Sequence, residues 1–94
     1  MKFVESLILI LSLYSCSKCD CSYDNFKKIE KSPGLNQAEV EKILKTKPSA
    51  EKNHYDWTLR KYSCGDEYII AIYEGDRCTE VLFNTQRKYM NFKD

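Results

Sequence analysis

The chain is poor in the residues that carry most enzyme chemistry. It has one histidine, His54, in 94 residues. A nucleophile paired with a histidine base has only that position to draw on. Glycine is scarce at three and proline at two. There is no glycine-rich loop to cradle a phosphate and no zinc or calcium motif. Neither charge sign dominates, since 15 Lys and Arg meet 14 Asp and Glu. The basic excess of a nucleic-acid binder is missing. His54 sits in a polar connector, where a lone histidine is ordinarily a solvated side chain. Glu74 and Asp76 flank a glycine like a carboxylate pair, but acids are common in turns for backbone reasons. We therefore expect no enzyme activity, no cofactor, no metal, no nucleic-acid partner and no small-molecule substrate.

What is present begins with the one long apolar run. Lys2 gives a weak basic start, which Glu5 partly offsets. Leu7 to Leu11 form an apolar core, extended by Leu13 and Tyr14. The run is shorter than the ~20 residues that span a bilayer. Its length and flanks are those of a signal peptide over residues 1–15. The competing reading is a buried N-terminal helix.

Leu13-Tyr14-Ser15-Cys16 resembles the bacterial lipobox, with Leu three before the cysteine and a small residue one before. Tyr14 departs from it, because a small or branched residue is usual there. The resemblance implies cleavage before Cys16, a diacylglycerol on its thiol, and a tether over residues 16–22 ahead of a single domain, residues 23–94. Two or three acyl chains anchor stably where one does not. Ser17 in place of Asp resembles the outer-membrane default, so the expected location is the outer membrane, facing the periplasm; secretion is the alternative.

Five cysteines, Cys16, Cys19, Cys21, Cys64 and Cys78, leave four for pairing if Cys16 carries lipid. Cys16, Cys19 and Cys21 also read as a soft-metal clip, but export into an oxidising compartment favours disulfides. Cys64 and Cys78 fall at opposite ends of one strand, too far apart to bond. Cys19 and Cys21 are the remaining candidates, and we expect at least one of them to pin the tether to the sheet, with Cys78 the preferred partner.

The rest predicts an α+β domain. Asp24 is a candidate cap for a short helix with Phe26 and Ile29 three apart, stopped by Ser32-Pro33-Gly34. Asn36 and Glu39 form a capping box for a second helix, with Val40, Ile43 and Leu44 on one face. Pro48 should end it by restricting Lys47. Lys27, Lys28, Lys31, Lys42, Lys45 and Lys47 put positive charge on the helical half, as a solvated face or a contact with anionic head groups. Residues 48–53 read as a connector. Three strands then form an antiparallel meander, from Tyr55, Tyr68 and Cys78, with "CGDE" and "GDR" as turns. The helices must cover one face of that sheet.

The stretches "IEKSPGLNQAEVEKILKTKPS" and "EYIIAIYEGDRCTEVLF" resemble BamE/SmpA-type small outer-membrane lipoproteins and the repeats of β-lactamase-inhibitor proteins. Gly34-Leu35-Asn36 occupies the turn, Glu39-Val40 and Ile43-Leu44 the helix motif, Pro48 the break, Trp57 the aromatic that opens the sheet and Glu74-Gly75 the hairpin. Lys45-Thr46-Lys47 departs from the usual glycine, and the paired cysteines have no counterpart. The resemblance implies a non-catalytic accessory or scaffold module that binds envelope proteins. A secreted inhibitor or exclusion factor is the alternative. With the hairpin so aligned, Ile69, Ala71 and Tyr73 face the helices, and Tyr68, Ile70 and Ile72 point outward. That outward row is either a protein-binding surface or a seat for the tail residues Tyr89, Met90 and Phe92.

Overall fold

The structure, a computed structural model, describes residues 19–92. The signal-peptide and Cys16 expectations lie outside the described residues. The described chain is α+β: α1 (Tyr23–Glu30), α2 (Gln37–Leu44), then β1 (Ala50–His54), β2 (Trp57–Cys64), β3 (Glu67–Glu74) and β4 (Arg77–Phe83). The strands form one antiparallel sheet in the order β1-β2-β3-β4.

The sheet has four strands where the sequence predicts three. The addition is β1, which pairs with β2 from Ala50↔Lys61 to His54↔Trp57. Its sequence, AEKNH, offers no aliphatic alternation because it is a half-exposed edge strand. Its turn is also unmarked. Tyr55 takes a left-handed φ of 59° where the other two hairpins have Gly65 and Gly75. Glycine reaches that conformation without steric cost and tyrosine does not.

Both helices are closed by their own side chains. The Ser22 hydroxyl, not Asp24, caps α1 by accepting from the Asn25 N–H. Asn36 and Glu39 make the reciprocal capping box on α2. That helix stops at Leu44, earlier than Pro48 requires, because Lys45 turns left-handed and donates its N–H to Glu41 O. Between the helices, Gly34 has φ +89°, and a Cβ there would press on the Arg77 guanidinium at 3.2 Å.

The helices cover one sheet face. Ile29, Val40 and Leu44 pack on Tyr62, Ile69, Ala71, Tyr73, Cys78 and Val81. Cys78 and Val81 share that face despite their odd spacing because β4 carries a bulge. Tyr73 pairs with Cys78 while Ile72 pairs with Glu80, leaving Thr79 as the extra residue. On the opposite face Leu59, Ile70 and Ile72 pack under Met90, which is fully buried, with Tyr68, Tyr89 and Phe92 around them. The outward row is therefore a second core. Ile70 and Ile72 are buried by the tail and Tyr68 is half-buried, which removes them as an exposed protein-binding surface.

Candidate functional site

An open groove of about 550 Å³ runs between α1 and the edge strand β4. Its rim is aromatic. Tyr23 and Phe26, one turn apart on α1, meet Phe83 at the end of β4, with the three ring centroids 5.5–5.7 Å from one another. Ile29, Val81 and Leu82 line it further in. The bulge at Thr79 sets this side of β4, because it places Val81 and Phe83 together toward α1. At its start the outer edge of β4 is already occupied: Cys78 donates to Leu35 O at 2.7 Å, and Gly34 donates to Cys78 O at 3.0 Å. No strand lies beyond β4 among the described residues.

A second cluster brings thiols together. Residues 19–22, read as tether from the sequence, lie against the body. Asp20 donates its N–H to Leu44 O at 2.8 Å, and the Asn25 amide donates to Asp20 O and Ile43 O. This seats Cys21, 2% exposed, with its sulfur 2.6 Å from that of Cys64. Cys19 is half-exposed beside them, its thiol directed at Ser63 O at 3.8 Å. Burial pushes the Cys21 thiol up despite the lowering contact with Cys64. Burial, then the contacts with Cys19 and Cys21, pushes the Cys64 thiol far above its ordinary range.

Cys78 is apart from this cluster. It is buried, its thiol points at Glu80 O, and burial pushes it up to about 11. It pairs with Tyr73 at one end of β3, whereas Cys64 pairs with Glu67 at the other. The preference for Cys78 as the tether's partner is thus corrected. The segment enters beside the end of α2 and meets the β2–β3 turn.

His54 is half-buried and packs against the tail. Its ring stacks on Tyr89 with centroids 4.4 Å apart. Glu74, at the end of β3, and Asp76, in the β3–β4 turn, are both exposed. Among the described residues no group of three or more His, Cys, Asp or Glu is placed to hold a metal ion, and no helix is long and apolar enough to cross a membrane.

The groove residues Tyr23, Phe26 and Phe83 are the ones that sequence reasoning missed. Their signal was Tyr23 and Phe26 three apart on a helix, continuing the stripe that ends at Ile29. Comparison with protein-family models, with curated proteins and with solved structures finds no match to this chain.

Proposed function

We propose that this is a non-catalytic, lipid-anchored cell-envelope protein, an accessory or scaffold module that holds an extended segment of an envelope protein in the α1–β4 groove. The observation that carries the reading is the aromatic rim of Tyr23, Phe26 and Phe83 beside an edge strand. Extended peptides add to such edges through main-chain hydrogen bonds, and neighbouring pockets select their side chains. The apolar leader ending at Cys16 supports the anchor, at the periplasmic side of the outer membrane. The likeness to BamE/SmpA-type lipoproteins agrees with both, with β1 as an added strand.

The secreted-inhibitor reading has one observation in its favour. Tyr55 is 90% exposed at the tip of the β1–β2 turn, beside a partly exposed Trp57. Two measurements separate the readings. Wild type should enter the detergent phase and Cys16→Ala the aqueous phase; identical partitioning contradicts the anchor. A photocrosslinking residue at Phe26 should give one discrete envelope-protein adduct in intact cells, while the same residue at Tyr55 gives none. Capture at Tyr55 alone would transfer the function to the turn.

A further inference from the structure

We propose that Cys21 and Cys64 form a disulfide that locks the N-terminal segment onto the β2–β3 end of the sheet, with Cys19 as the neighbouring thiol through which the link is opened and closed. The two sulfurs are 2.6 Å apart, closer than unbonded thiols ordinarily pack and little beyond the ~2.05 Å of the covalent bond. Their approach does not depend on sulfur chemistry alone. The bond from Asp20 to Leu44 O and the two from the buried Asn25 amide fix the backbone on either side of Cys21. The partner is fixed as well, since Cys64 ends β2 and is paired with Glu67 across the turn.

The reaction balances as thiol–disulfide exchange. An external disulfide, molecular or on an oxidoreductase, is attacked by a thiolate of this chain, and its first thiol leaves. The second thiol of the chain then displaces the other, giving one protein disulfide and two external thiols. Cys21 is buried and Cys64 partly so, whereas Cys19 is half-exposed beside them. Cys19 is thus the entry point: it forms the mixed disulfide, one thiol of the Cys21 and Cys64 pair displaces the second external thiol to give a transient link to Cys19, and the other thiol of the pair then displaces Cys19. The thiol that ends unpaired is Cys19.

The link has a consequence for placement. Five residue steps separate Cys16 from Cys21, and extended chain covers at most about 3.5 Å per step, so about 17 Å in all. On the proposed anchoring, the β2–β3 end is held at the membrane and the Tyr55 and Gly75 turns point away. The link itself stands on the geometry; its oxidant in the cell rests on the proposed export.

The test uses the purified full chain, equilibrated in equal reduced and oxidised glutathione, alkylated, and cut before aspartate. The cuts put Cys19, Cys21, Cys64 and Cys78 on four separate fragments, with Cys21 in 20–23, Cys64 in 56–65 and Cys78 in 76–93. The expected product joins 20–23 to 56–65, with Cys19 and Cys78 alkylated. Cys19→Ser should give the same product more slowly, and reductant should lower the denaturant midpoint of wild type but not of Cys21→Ser. A link to 76–93, or alkylation of both Cys21 and Cys64, overturns the pairing; an unchanged rate in Cys19→Ser overturns the role of Cys19. A chain that keeps Met1 in the cell yet forms the link in glutathione would break the export reading alone.

Discussion

The two faces of the sheet are covered in different ways. One lies under two capped helices, and its core holds Tyr62, Ile69, Ala71, Tyr73 and Val81. The other lies under the irregular tail, with Met90 as its fully buried plug. The helical cover brings its own closed hydrogen bonds. The tail is held by scattered contacts: Lys52 to Asn91 O, Arg87 to Glu80, and Tyr89 on His54. An amphipathic helix can be moved as a unit, while a tail of this kind is tied point by point. The groove accordingly opens on the helical side, between α1 and β4, with Thr85 at the start of the tail on its lining.

Substitutions can break this contrast, and the largest effect is expected from charge in the tail-covered core. Ile70→Asp puts an unpaired carboxylate where the side chain is fully buried. It should destabilise by about 4 kcal/mol or more in chemical denaturation. A surface contact residue would leave stability unchanged, so a small effect would restore the outward row as an interface.

Cavity formation compares the covers directly. Leu44→Ala under the helices should cost about 3 kcal/mol, within the ~2–5 kcal/mol of such truncations. Met90→Ala should cost less, about 2 kcal/mol, because a tail with few ties can settle into the gap. Equal losses in paired denaturation curves would show the tail to be as rigid as the helices.

The helical core also contains a polar pair. The hydroxyls of Tyr62 and Tyr73 meet at 2.8 Å in a buried setting. Tyr62→Phe orphans its partner and should cost ~1–3 kcal/mol, whereas the double Tyr→Phe variant should cost less than the sum. Burial pushes Tyr62 up to about 12, and burial with the Tyr62 contact pushes Tyr73 higher still. An ordinary tyrosine ionises near ~10. Above that pH the unfolded chain loses protons that the folded one keeps, so stability is full below ~10 and falls as pH rises toward 12. Tyr62→Phe should flatten that fall, as read from denaturation midpoints across alkaline pH.

The smallest effect sharpens the contribution of capping to the helical cover. Asn36→Ala removes the box around α2 and should cost ~1 kcal/mol. Asn36→Asp should recover it in the same titration.

What could be read in the sequence follows from where each signal is local. The Asn36 and Glu39 box and the glycine turns depend on neighbours in the chain, and each appears in the fold. Strand β1 was hidden because Ala50 to His54 gains its order from β2, and Tyr55 gives no glycine-type turn signal. The bulge at Thr79 was hidden because it resolves a conflict between Cys78 and Val81 that exists only once the helices choose a face. The thiols show the same limit. Parity and spacing placed Cys19 and Cys21 near the sheet, but the choice of Cys64 over Cys78 depends on Asp20 docking at Leu44. The groove is tertiary in origin, since Phe83 reaches Tyr23 and Phe26 only through the packing of α1 on β4.

Anchor and disulfide are read together in the intact mass of the native chain taken from its membrane fraction without reductant. The mature polypeptide should begin at Cys16, carry the added mass of its acyl chains, and lack the two hydrogens of one disulfide. A water-soluble, unmodified chain that retains Met1 to Ser15 would contradict the anchor.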